Sequence, residues 1–147
     1  MKTLLTMMLL VALAGCAAKQ MSDDQIHQEA AIRYSAMLGP NQPEVSMIVV
    51  KIHSHGLLGD GLATATGAVS KAAQLRKALL VAKSGGELGF LIIGAGGALD
   101  LMTIRNAVAS QDLGGMEIFY AGGTYALDQI RHAVEASGAR FHLIAVQ

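Results

Sequence analysis

Four short runs of β-branched and large apolar residues, separated by three longer stretches of helical spacing, constrain this chain more than any other feature. The runs lie at 46–53 (SMIVVKIH), 89–94 (GFLIIG), 116–120 and 140–146. β-Branching stiffens χ1 and suits a pleated, extended backbone. The run at 89–94 is apolar throughout, as a strand covered on both faces should be. Between the first two runs, 63–83 places Val69, Ala72, Ala73, Leu75, Leu79, Leu80 and Ala82 on the apolar side of a helix, which Gly85-Gly86 ends. Residues 99–110 and 125–137 carry the same helical spacing. Strands that alternate with helices of this length predict an α/β fold: a small, mainly parallel four-stranded sheet in the order β-α-β-α-β-α-β, with right-handed crossovers.

A repeat runs through this pattern. Leu91-Ile92-Ile93-Gly94-Ala95-Gly96-Gly97 aligns with Glu117-Ile118-Phe119-Tyr120-Ala121-Gly122-Gly123, and Ile104-Arg105-Asn106-Ala107-Val108 with Ile130-Arg131-His132-Ala133-Val134, all at an offset of 26. A fainter copy precedes them at 66–79. Three strand–glycine–helix units are too few for an open solenoid, so one small sheet is expected.

Upstream, Ser22-Asp23-Asp24-Gln25 has the form of a capping box and opens a helix that should reach about Leu38. Gly39-Pro40-Asn41-Gln42-Pro43 breaks it, and both prolines of the chain lie there. Ile26, Ala30, Tyr34 and Met37 give this helix a modest apolar face. That face either packs on the domain or docks on a partner.

The N-terminus reads MKTLLTMMLLVALAGCAAKQ. Lys2 precedes an uncharged apolar run of about ten residues, too short to span a ~30 Å hydrocarbon core. The run ends in Leu13-Ala14-Gly15-Cys16, which resembles the lipobox of bacterial lipoproteins. That resemblance implies a signal peptide over 1–15 and a lipidated Cys16 at the start of the mature chain. Several acyl chains, each contributing about 0.8 kcal/mol per buried CH₂, anchor a protein firmly where one does so only marginally. By the sorting rule of the family it resembles, Ala17, where an aspartate would signal inner-membrane retention, implies the periplasmic leaflet of the outer membrane. The organisation expected is a signal peptide (1–15), a lipidated tether, helix and Pro/Gly linker (16–45), and an α/β domain (46–147). Cys16 is the sole cysteine, so the domain holds together without a disulfide.

Removing 15 of 147 residues leaves 132, with ten basic and eleven acidic side chains. One domain is expected. Near-neutral charge without clustered cations argues against nucleic acid as a partner, and 52% hydrophobic residues supply a core.

Chemistry in a parallel α/β sheet gathers where strands lead into helices. Here that edge collects Gly94, Gly96 and Gly97, then Gly122, Gly123 and Thr124, as a possible ligand site. Glycines before a helix let backbone amides approach an anion. However, Gly94-Ala95-Gly96-Gly97-Ala98-Leu99 matches neither G-x-G-x-x-G nor a P-loop. His53 and His55, at i and i+2 in a strand, share a face and with Asp60 offer three metal ligands. The commoner account of the glycines is tight turns, and of the histidines an exposed strand end. There is no G-x-S-x-G, and no free thiol remains once Cys16 is acylated. Arg105 and Arg131, at equivalent repeat positions, suit a solvated helix face.

These features predict a non-catalytic protein that requires no cofactor. It would be anchored to the membrane through its lipid and bind envelope proteins, as a subunit of a secretion, conjugation or pilus assembly. The alternative is a small-ligand, anion or metal-binding periplasmic domain using His53, His55, Asp60 and the glycine turns.

Overall fold

The computed structural model describes residues 20–41, 45–54 and 60–146. The chain runs α1 (Asp23–Leu38), β1 (Met47–Lys51), α2 (Asp60–Ser84), β2 (Gly89–Ile93), α3 (Gly97–Val108), β3 (Glu117–Ala121), α4 (Leu127–Ala136) and β4 (Arg140–Ile144). All four strands are parallel and lie in the order β1-β2-β3-β4. The α/β fold expected from the alternating runs is the fold observed. Every crossover steps to the adjacent strand in the same direction, so crossovers of one hand leave their helices on one face. There α2 packs on α3 and α3 on α4. On the opposite face α1 lies against β2, β3 and β4.

Side chains alternate across the sheet and build two cores. Phe90, Ile92, Ile118, Tyr120 and Phe141 meet Leu75, Leu79, Ile104, Val108, Ile130 and Val134 from α2–α4. Leu91, Ile93, Phe119, Ala121 and Ile144 meet Ile26, Ala30 and Tyr34 of α1. Every residue of β2 and of β3 is buried, which is why these runs carry so little polarity.

The capping box at the start of α1 forms as its sequence requires. Ser22 Oγ accepts from the Gln25 amide at 3.3 Å, and Gln25 Oε1 from the Ser22 amide at 2.9 Å. Asp23 and Asp24 add negative charge to the first turn, where the helix dipole favours it. Close approach of α1 needs Gly89, because a Cβ there would overlap the Tyr34 ring. Arg33 Nη1 donates to the Leu143 carbonyl at 3.0 Å. Since the Arg140 amide pairs with Met116 of β3's side, residue 143 presents its carbonyl to the free edge of β4. Arg33 therefore covers part of an edge that would otherwise invite another strand.

The repeat survives in altered form. Its helical half holds at the offset of 26, with Ile104 and Ile130, and Val108 and Val134, in the same core. In the strands the sheet pairs Leu91 with Phe119 and Gly89 with Glu117, a slip of two residues from the sequence alignment. Because strand side chains have a period of two, the slip leaves every residue on its proper face. Element ends also move: α4 begins at Leu127, as Ala126 is held in the left-handed region with φ 53°.

Candidate functional site

The turns 94–96 and 122–126 lie side by side at the C-terminal edge of the sheet. Their approach is close enough that a Cβ on Gly123 would sit 3.9 Å from the Gly96 Cα. The strand order never reverses, so the sheet has no switch-point crevice of the kind that doubly wound sheets use. A cleft forms instead on the α1 side, between these turns and the entry to α1. It has a volume of about 570 Å³ and is lined in part by Met21, Asp23, Lys51, Gly94, Gly96 and Gly123. At its rim Lys51 Nζ lies 2.5 Å from Asp23 Oδ2, both side chains about half exposed.

The other side of the same turn is filled by Asp100, the fourth residue of α3, which is fully buried. Its Oδ1 accepts from the Ala95 amide at 2.9 Å. Its Oδ2 accepts from the Gly96 amide at 2.9 Å and from the Tyr120 hydroxyl at 2.6 Å. Two glycines make room for this arrangement. A Cβ on Gly94 would overlap the Asp100 carboxylate, and one on Gly122 would overlap the Tyr120 hydroxyl. Burial pushes the Tyr120 phenol far above its ordinary value, and the hydrogen bond to Asp100 and its negative charge add to the effect. Chemically, the turn carries its own anion: amides of the kind that hold a phosphate in other α/β domains here donate to a side chain of the same chain.

Of the other residues singled out in the sequence, Gly96 and Gly97 have φ values of 97° and 68°, which explains glycine at both. Thr124 is exposed, and its carbonyl accepts from the Leu127 amide at 3.3 Å. His53 is exposed beyond the end of β1. His55 and Cys16 lie outside the described residues, as does the side chain of Asp60, whose backbone opens α2. Among the described residues no three His, Cys, Asp or Glu side chains group to hold a metal ion. Also among them, no helix is long and apolar enough to cross a membrane. Arg105 is exposed, while Arg131 lies over the Phe141 ring with its guanidinium carbon 5.0 Å from the centroid.

A second polar cluster lies at the start of β3 and β4. Buried Glu117 binds Arg140 Nε through Oε1 at 3.0 Å and His142 Nε2 through Oε2 at 2.5 Å. His142 stacks on Phe119, with centroids 4.7 Å apart and planes at 26°. The available signal was parity: Arg140 and His142, at i and i+2, fall on the same face as a lone acid in an otherwise apolar strand. Near this cluster the Tyr34 phenol is raised by burial, then by the charges of Glu117 and Glu87.

No protein-family model, curated protein or solved structure matches this chain.

Proposed function

We propose that this chain is an outer-membrane-anchored periplasmic lipoprotein whose α/β domain binds other envelope proteins and catalyses no reaction. One observation carries the reading. The Ala95 and Gly96 amides, placed where an α/β domain would grip an anionic ligand, are taken by Asp100. The outer side of α2 adds support, since Val69, Leu80 and Val81 stand 64%, 41% and 58% exposed. The anchor rests on Leu13-Ala14-Gly15-Cys16 and on Ala17.

A photo-crosslinking residue at Val69 or Val81, in intact cells, is expected to give adducts of defined mass with envelope proteins. The same residue at His132, on α4, should not. Absence of adducts at both positions on α2 would refute the binding role. Cys16→Ser is expected to leave an unprocessed, unacylated precursor, and normal processing of that variant would remove the anchor from the reading.

The cleft beside the glycine turns favours a second reading, a small-ligand, anion or metal site built on Gly94, Gly96, Gly97, Gly122, Gly123 and Thr124. In its metal form His53, His55 and Asp60 are the ligands. Titration of Zn²⁺ into wild type and into the His53→Ala/His55→Ala double variant decides that form: equal binding by both eliminates it.

A further inference from the structure

We infer that the C-terminal edge of the sheet, with its cleft and Tyr125, is the face held against the lipid bilayer. This rests on acylation of Cys16 in the reading above. Gln20 lines the cleft, and Met21 packs against the smaller core. Only four residue steps separate Cys16 from Gln20. A fully extended chain spans at most ~3.5 Å per residue, so the acylated residue lies within about 14 Å of the cleft whatever path the chain takes. The domain is wider than that. A compact unit of roughly 130 residues has a radius of gyration near 14 Å and thus a diameter above ~30 Å. The tether is less than half this width, too short for the opposite edge to reach the membrane to which Cys16 is fixed.

What the edge presents fits a headgroup layer. Tyr125 is 59% exposed, on a turn where the next residue, Ala126, takes a left-handed φ of 53° that non-glycine residues seldom adopt. An aromatic ring with a polar tip is favoured at the membrane–water boundary. Helices α2, α3 and α4 all begin at this edge, because each follows the C-terminal end of a strand. The outer side of α2 and the far ends of the helices are left free to meet other proteins.

Acylation consumes the Cys16 thiol, and the chain has no other cysteine, so an introduced cysteine is the single labelling site. Full-length lipidated Tyr125→Cys and Glu135→Cys, each carrying a fluorophore, are reconstituted in phosphatidylethanolamine–phosphatidylglycerol vesicles containing a headgroup quencher. Tyr125 precedes α4 by two residues and Glu135 lies in its last turn, about 15 Å away along the axis, so quenching at 125 should exceed that at 135 by about twofold or more. Thr124→Cys and Ser84→Cys form a second pair that keeps Tyr125 and should show the same ordering. Equal quenching within each pair, or the reverse order, overturns the orientation. Mass measurement of Cys16 in the same samples separates the two failures. A chain without acyl mass overturns the anchor and the orientation with it, whereas an acylated chain with the wrong quenching order overturns the orientation alone.

Discussion

The Asp100–Tyr120 pair allows the structure to be tested by a change of sign. Tyr120→Phe in the wild-type background removes one hydrogen bond to a charged acceptor, of 2.6 Å, at a cost of about 1.5–3 kcal/mol. Asp100→Ala leaves three donors without their acceptor: the Tyr120 hydroxyl and the amides of Ala95 and Gly96. The two amides lose their acceptor in Asp100→Ala and in the double variant alike, so their cost cancels from the comparison. The hydroxyl is buried, and its stranding costs about 1–3 kcal/mol. Adding Tyr120→Phe to Asp100→Ala removes that stranded group, so the second substitution should stabilise by about 1–3 kcal/mol where alone it destabilises. The coupling between the two positions is then about 2.5 kcal/mol or more. Urea unfolding of the four proteins, followed by circular dichroism with equal m values, measures it. If Tyr120→Phe destabilises by the same amount in both backgrounds, the hydroxyl is not held by Asp100 and the account of the glycine turn fails.

Alkaline titration probes the same pair. The folded phenol of Tyr120 stays protonated above its ordinary value near 10, so stability is complete below pH 10 and falls above it. The loss approaches about 1.4 kcal/mol per pH unit for this one group, and Tyr120→Phe should remove that share of the slope. Gly89→Ala is expected to push the Tyr34 ring off the sheet, costing about 1–3 kcal/mol in thermal unfolding, yet to add nothing to the cost of Tyr34→Ala. An equal added cost in both backgrounds would mean that the two do not meet. Arg33→Ala should change stability by less than about 1 kcal/mol, since Arg33 is exposed. It uncovers the β4 edge, so light scattering should show concentration-dependent association that wild type lacks.

Much of the fold was legible because two periods dominate the chain: two in the strands and 3.6 in the helices. The unbroken apolar run of β2 announced burial on both faces, whereas Glu117 interrupts that signal in β3, and the capping box marked the start of α1 to the residue. The destination of α1 was not legible. Ile26, Ala30 and Tyr34 form its buried stripe, but Ile32 and Met37 lie exposed beside it and blur the amphipathic signal. Asp100 was hidden for a different reason. A carboxylate in the first turn of a helix ordinarily serves the dipole from the surface, and only the pairing of β2 with β3 brings Tyr120 against it. The direction in which successive strands are laid down was equally out of reach, since a β-α-β unit has the same local sequence whether the sheet reverses or not. Without a reversal the glycine edge lacks a crevice of its own, and the cleft there owes its wall to α1.

That one-way strand order also shapes how the chain folds. Each strand pairs with its sequence neighbour, at separations of 42, 28 and 23 residues from β1 to β4. Pairings of limited span lower the contact order and let the sheet assemble one unit at a time, as the chain emerges. The exception is α1, which lies on β2, β3 and β4 together and has no complete seat until the last of these is in place. Among the described residues, the helix nearest the N-terminus is thus the last to gain its full seat.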